Sequence, residues 1–597
     1  VVRGTWLAAS LFAAIVLFFA LSFSMTGSIF AWSEEEMTYP ARAWRGVAAE
    51  RQNDHPSATL VRSCADPQAS GSLIHGVRPL LSWCMSGRQW PLMVTSYISG
   101  IWYWPLGAAF TVLPDDLLIR RRVALVWGLL ALVLSALLVR RWAGPGAAAV
   151  CAAMFASSIC VLTVTSMMSP FEVTPWIFFC AALLVLAGGG TSERSNASRS
   201  ETPGSERQSE PSAIRVVLAG LLLGVALSCN IKAAFFAVPA AALAGWNRRR
   251  ATRRLAPRHG VLLCLATAPG LIPNLFFVRG GGSADLRREW VRRLGYLTQH
   301  ANIQHLAGGA MKLVAFWVDP VQMYVLGAFS AEKPFWFARV ETGVAVLAWV
   351  YCTWELARAV LRRPGIRMLP AFCGAWLMTY WLATALLYDE ELTNGTTVYA
   401  VFVLAEALFV WWLGGLAARH AAADRRPRVQ AATAGALAVL FTLGSVAHLR
   451  VDTASLRSIP FNLENQRQFV TGLEAHASSG SVVATTYNLI GVIEALSAGS
   501  VDVVEAVDFL RACDLGHHED AQIEKCQADR WVALMGRLGL PMRAIIPSFR
   551  GGNYERSDLY DPSFKAAAKR LGLTLSAESQ LDWHGTPMLT VYRVARP

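Results

Sequence analysis

The chain has 597 residues, 54% hydrophobic and only 16% charged, with a mean hydropathy of +0.38. That balance excludes an ordinary water-soluble core and describes a polytopic membrane protein, and 22 tryptophans suit a chain with many membrane interfaces. The net charge of +13 falls mostly in short arginine clusters between apolar runs, as the positive-inside rule expects, so no nucleic-acid partner is needed to explain it.

Residues 5–30 are long enough to span a bilayer at 1.5 Å rise per residue. Their apolar length and the preceding Arg3 favour an uncleaved first helix with its N-terminus in the cytoplasm. Directly after it comes Trp32-Ser33-Glu34-Glu35-Glu36-Met37-Thr38-Tyr39. Ionised side chains at that depth are costly unless they face a water-filled cavity, a partner or a substrate, so the three glutamates suit either a functional site or, more plainly, an ordinary polar helix end.

Residues 31–119 read as a large outer loop: a polar part with Cys64, His75 and Cys84, then Pro91 to Gly100 and the cluster Trp102, Tyr103, Trp104, which suits the headgroup level. Spans follow near 122–140, 145–166 and 171–189, the first closed by Arg140 and Arg141. Residues 190–212 are rich in Ser, Glu, Arg, Gly and Pro and read as a disordered cytoplasmic linker. The apolar run 213–246, interrupted by Ser228-Cys229-Asn230-Ile231-Lys232, suggests a hairpin of two spans.

A span near 259–278 leads to a second outer loop, 279–335, with Arg287, Arg288, Arg292 and Arg293. Those arginines suit either a surface helix on anionic headgroups or a clamp for a phosphate. Spans near 336–361, 367–388, 396–416 and 430–448 bring the expected total to eleven, which puts the C-terminus on the same side as the glutamates. Residues 455–597 have the composition of a soluble α/β domain, with strands at Ser481–Thr485, Val501–Val504, Arg543–Pro547 and Met588–Val594. It reads as a lid or acceptor platform. Of eleven cysteines, only Cys64, Cys84, Cys513 and Cys526 lie outside apolar segments; as two sequence-local pairs on the oxidising side, Cys64–Cys84 and Cys513–Cys526 are expected to be disulfides.

A carboxylate at headgroup depth suits glycosyl transfer from a lipid-linked phosphate. One acid accepts the acceptor's proton while cations stabilise the departing phosphate. Here the chain resembles a family. The acidic motif after the first span is similar to the Asp-Glu-x-x-Tyr signature of polyprenyl-phosphate-sugar-dependent glycosyltransferases of the GT-C superfamily, which include protein mannosyltransferases and aminoarabinose lipid A transferases. In that register Glu35 takes the aspartate position, Glu36 the glutamate and Tyr39 the tyrosine; the longer Glu35 side chain leaves Glu34 as an alternative base. Pro91-Leu92 through Tyr97 and Gly100 is similar to a Pro-Leu-x(4)-Tyr-x-x-Gly segment of the bacterial branch. Arg121, Glu172, Lys232 at the end of a helix carrying Gly220 and Gly224, and Tyr399 fall where the family has further site residues.

The resemblance covers most of residues 1–420 in layout. It implies a GT-C-like all-α membrane domain over 1–450 followed by an extracytoplasmic domain at 455–597, in a bacterial inner membrane. It implies catalytic Glu35 and Glu36, and substrate contacts from Tyr39, Tyr97, Arg121, Glu172, Lys232 and Tyr399. The implied partners are a polyprenyl-phosphate-linked sugar, membrane lipid, and a glycan, lipid or protein acceptor. A divalent cation at Glu35 or Glu36 fits the same chemistry. Two other readings compete: a transporter or flippase, against which no internal repeat is visible, and a catalytically inactive relative, which Glu for Asp keeps open. Each residue also has a plainer role. Lys232 suits a snorkelling helix end and Glu172 a helix N-terminus.

Overall fold

A computed structural model describes residues 2–28, 117–166, 170–187, 212–229, 257–277, 303–319, 335–361, 367–387, 399–458, 462–476, 519–538, 542–547, 559–583 and 586–597, with short strands and single positions between them. The first segment is α1 (Val2–Thr26), followed by the two-stranded antiparallel sheets β1 (Thr59–Val61) with β2 (Ser72–Ile74) and β3 (Leu81–Met85) with β4 (Arg88–Met93). The helical bundle continues with α2 (Leu117–Ala143), α3 (Pro145–Ser157), α4 (Ile159–Ser166), α5 (Pro170–Ala187) and α6 (Ala213–Cys229). After these come α7 (Pro257–Thr267), a 3₁₀ turn, α8 (Ile272–Phe277) and α9 (Ile303–Val318). It closes with α10 (Trp336–Val360), α11 (Met368–Leu387), α12 (Tyr399–Ala417) and α13 (Arg426–Ser458).

Among the described residues, five helices are long and apolar enough to cross a membrane, or six when the bent pair α3 and α4 is one span. Large apolar side chains such as Trp6, Phe12, Leu347, Trp354 and Leu440 stand exposed on these helices, which fits contact with lipid tails. The chain is a multi-pass membrane protein. Its expected count of eleven spans runs through stretches outside the described residues, so the count stays an expectation.

Two predicted spans differ in shape from the expectation. The run 145–166 is broken at Ser158, where α3 and α4 meet at 54°; Ser158 leaves helical geometry at φ −64°, ψ 114°. The β-branched sequence beyond it, with Val161, Thr163, Val164 and Thr165, is a weak helix former, so the helix resumes only because all of α4 is buried. The last span, expected at 430–448, continues unbroken to Ser458 and carries His448 and Asp452 with it.

Contacts between helices define two ends of the bundle. Arg141, at the end of α2, donates to the Ala187 carbonyl at the end of α5. Glu355, near the end of α10, pairs with Arg358 and accepts from the Arg367 backbone N–H just before α11. Gln430 at the start of α13 donates to Trp411 near the end of α12. With Arg419, Arg425, Arg426 and Arg428 alongside, this is the arginine end. The opposite end gathers the finish of α1 and α13 with the starts of α2, α10 and α12.

The C-terminal region contains α14 (Leu463–His476), β5 (Val482–Thr485), β6 (Asp502–Glu505), α15 (Asp520–Leu538), β7 (Met542–Pro547), α16 (Tyr560–Arg570), β8 (Thr574–Trp583) and β9 (Thr586–Ala595). Its five strands run in the order β6-β5-β7-β9-β8, parallel across the first three and antiparallel at β9 and β8. Strand periodicity sorts the core: Ala544, Ile546 and Tyr592 pack with Trp531 and Phe564 on one face, while Ile545 and Val591 pack with Val470 and Leu473 on the other. Helices therefore cover both faces. Cys513 and Cys526 form a disulfide with Cα atoms 5.8 Å apart. Cys64, of the other expected pair, lies outside the described residues.

Candidate functional site

The end opposite the Arg419–Arg428 cluster is held together by buried polar side chains. The α1 helix finishes at Thr26, where four C-terminal carbonyls have no partner within the helix. Arg121, near the start of α2 and fully buried, donates from Nη1 to the Thr26 carbonyl at 2.9 Å. A cation at a helix C-terminus also complements the macrodipole. Close approach makes this contact reachable: a Cβ on Gly128 would lie 2.6 Å from the Phe18 ring of α1 and 2.7 Å from Thr165 of α4. From the other side, Arg457 near the end of α13 donates to Ser28 Oγ at 3.1 Å. Both arginines grip the chain where it leaves α1.

Toward the same end, α9, α10 and α13 bring together a cluster that no local motif announces. His448, within α13 and fully buried, has Nδ1 at 2.7 Å from Glu341 Oε2, on the second turn of α10. The other Glu341 oxygen accepts from Ser445 Oγ at 2.6 Å. The second imidazole nitrogen, Nε2, lies 3.2 Å from Asp319 Oδ2 at the end of α9 and 3.7 Å from Asp452 Oδ2, one helical turn further along α13. All four residues are less than 9% exposed, and the Phe335 ring lies 5.8 Å from the imidazole. Buried charges persist only when paired or hydrogen-bonded, and this cluster couples α9, α10 and α13 through such contacts. Glu406, buried in α12, lies within electrostatic reach of Glu341.

The residues expected from the sequence divide into three groups. Arg121 and Tyr399 are at this end: Arg121 caps α1, and Tyr399 opens α12, buried beside Cys160 of α4. Glu172 belongs to the first turn of α5, with its side chain outside the described residues. Glu34, Glu35, Glu36, Tyr39, Tyr97 and Lys232 lie wholly outside them. Gly220 and Gly224 are described and have a packing role: a Cβ on Gly220 would meet Ala266, and one on Gly224 would meet the Thr267 carbonyl, so α6 and α7 pack backbone to backbone. Small residues four apart allow such approach in membranes, where packing replaces the hydrophobic effect as the force between helices.

Asp319, Glu341, His448 and Asp452 were missed because they come from three separated segments. One local signal did exist. Histidine at 448 and aspartate at 452 lie one turn apart on one helix face, inside a run that otherwise reads as a membrane span.

No family model matches the chain, and no curated protein matches it. Solved structures do. ArnT from Cupriavidus metallidurans bound to undecaprenyl phosphate aligns at a TM-score of 0.51 and 13% identity, covering 99% of this chain and 98% of that one. The apo form of the same protein aligns at 0.47 and 12% identity over 99% and 98% of the two chains. The oligosaccharyltransferase of Archaeoglobus fulgidus, in complex with zinc and sulfate, gives 0.45 at 12% identity over 97% of this chain and 72% of that one. The likeness to ArnT, a GT-C protein, runs the whole length of both chains and shows that this chain has the GT-C fold.

Proposed function

We propose that this chain is a membrane glycosyltransferase that moves a sugar from a polyprenyl-phosphate donor to a lipid, glycan or protein acceptor on the extracytoplasmic side of a bacterial inner membrane. The observation that carries the reading is the GT-C fold over the full length of the chain, shared with a protein crystallised with undecaprenyl phosphate. The motif position agrees with it. Glu34, Glu35 and Glu36 follow Thr26 by eight to ten residues, so even a fully extended chain keeps the glutamates within about 36 Å of the Arg121-capped end of α1.

In this reading Glu35 accepts the proton of the acceptor hydroxyl as its oxygen bonds to the anomeric carbon. The bond from that carbon to the phosphate oxygen breaks on the opposite face, which inverts the configuration, and the polyprenyl phosphate leaves. Lys232 offsets charge on the departing phosphate; Glu35 or Glu36 would hold a divalent cation, which would supply further positive charge there; Tyr39, Tyr97, Glu172 and Tyr399 shape the donor site. Arg121 takes a supporting role, since its guanidinium already holds the end of α1.

The transporter reading draws on one observation, the 54° break between α3 and α4, because transporters place broken helices at their binding sites. A single assay separates the two. Full-length protein in proteoliposomes is given a labelled polyprenyl-phosphate sugar and candidate acceptors from an envelope extract. Transfer of label to a new product supports the enzyme. Movement of intact donor between leaflets without transfer supports the transporter, and neither result with correctly folded protein leaves the inactive relative.

A further inference from the structure

We infer that Asp319, His448 and Asp452 bind a divalent transition-metal ion of the zinc class, at a site separate from the glutamates after α1 and independent of the glycosyl-transfer reading. One ligand atom from each of Asp319, His448 and Asp452 lies within 4.8 Å of the other two. A tetrahedral ion with bonds of about 2.0–2.1 Å holds neighbouring ligands about 3.4 Å apart. The two distances from Nε2, 3.2 Å and 3.7 Å, fall on either side of that value.

The surroundings match what a metal-binding histidine requires. Such a histidine donates its other ring N–H to a carboxylate, which fixes the tautomer and turns the remaining lone pair toward the metal. Glu341 supplies that carboxylate at 2.7 Å from Nδ1, and it is itself held by Ser445. With Nδ1–H donated to Glu341, Nε2 carries a lone pair directed at two carboxylates. That arrangement needs either a second ring proton or a metal ion between Nε2 and the two carboxylates.

An independent observation points the same way. Asp452 is 3% exposed, and its Oδ2 has no hydrogen-bond partner among the described residues, yet it is the atom turned toward Nε2. A buried carboxylate oxygen left unpaired is costly, and a metal bond removes that cost. One nitrogen and two carboxylate oxygens suit Zn²⁺ or Mn²⁺ and leave a fourth position for water or a ligand oxygen. Bound there, the ion ties the end of α9 to α13.

The test uses full-length protein purified in detergent without chelator. Elemental analysis should find about one Zn²⁺ or Mn²⁺ per chain, and X-ray absorption at the metal edge should show imidazole scattering. After chelator treatment, Zn²⁺ alone should raise the melting temperature. Asp452→Asn and His448→Gln should lose the metal, and Glu341→Gln should weaken its binding by ~10–100-fold while keeping a hydrogen bond to the ring. Glu35→Gln and Glu36→Gln proteins should retain it. Wild-type protein with neither stoichiometric metal nor a Zn²⁺-dependent melting shift overturns the inference. So does bound metal whose absorption spectrum lacks imidazole, or which disappears with Glu35 and Glu36, and these results can be read even where an α13 variant fails to fold.

Discussion

At the scale of single residues, one cation can serve two roles, and Arg121 has a structural one in hand. The sequence placed it where the GT-C family has a site arginine; its Nη1 donates to the last-turn carbonyl of α1 at 2.9 Å. Arg121→Met should therefore lower stability by about 1–3 kcal/mol, the cost of an unsatisfied buried carbonyl, measured as a reduced melting temperature in detergent. Lys232→Met, by contrast, should leave the melting temperature unchanged and weaken donor binding, measured by titration with a polyprenyl phosphate. The glutamates separate in the same manner. Glu35→Gln keeps size and hydrogen bonding but cannot take a proton, so turnover should fall by ~10²–10⁴-fold with folded protein intact, while Glu34→Gln stays active. Activity in Glu35→Gln with a dead Glu34→Gln protein would move the base by one residue.

Among the elements, close helix packing does much of the positioning. Gly224 brings α6 against the Thr267 carbonyl of α7. Gly224→Val puts a branched side chain where backbone now sits and should cost about 1–3 kcal/mol or more through overpacking. A drop in melting temperature for Gly224→Val, against little change for Gly343→Val, where a Cβ meets nothing within 4 Å, would check this. In the C-terminal sheet, Asp561 of α16 accepts from Lys565 at 2.7 Å and from the Tyr592 hydroxyl of β9 at 2.6 Å. The hydrogen bond to Asp561 raises the Lys565 pKa above its ordinary 10.5, and burial followed by the same aspartate raises that of Tyr592 above 10.0. Both shifts favour protonated forms, so their stabilisation is complete below about pH 10 and fades as pH climbs through the raised values. Thermal melts of wild-type protein should show this alkaline loss, and a Lys565→Met, Tyr592→Phe protein should show less of it.

For the whole molecule, Arg140, Arg141, Arg358, Arg367 and the Arg419–Arg428 cluster collect at one end of the bundle, and the Asp319–Glu341–His448–Asp452 cluster lies at the other, together with Arg121 and Arg457. The positive-inside rule then predicts that the arginine end faces the cytoplasm and the region after α13 lies outside. A reporter fused after Pro597 should therefore be active only if it is of the extracytoplasmic type. In native membranes, Cys513 and Cys526 should resist alkylation until a reductant is added. Cytoplasmic-type reporter activity would place the glutamates on the wrong side for the proposed chemistry.

Apolar runs fixed most helices to within a few residues, because in a bilayer every backbone group must be satisfied inside its own segment and long apolar runs have few alternatives. Four strands of the C-terminal sheet, β5, β6, β7 and β9, were equally legible as short apolar runs, whereas β8 was missed: Ser576, Glu578, Ser579 and Gln580 give it no apolar pattern, and it is a strand because β9 pairs with it. The break at Ser158 was also invisible locally, since no proline or glycine marks it. Of the candidate site, the sequence by itself could propose only residues that share a local motif, such as Glu34, Glu35, Glu36 and Tyr39. The buried cluster joins residues up to 129 positions apart, Asp319 with His448, and is decided by how α9, α10 and α13 pack. Sequence determines which segments enter the membrane because that depends on each segment's own transfer energy. Tertiary structure decides which polar side chains meet there, because that depends on the angles and separations at which independent helices cross.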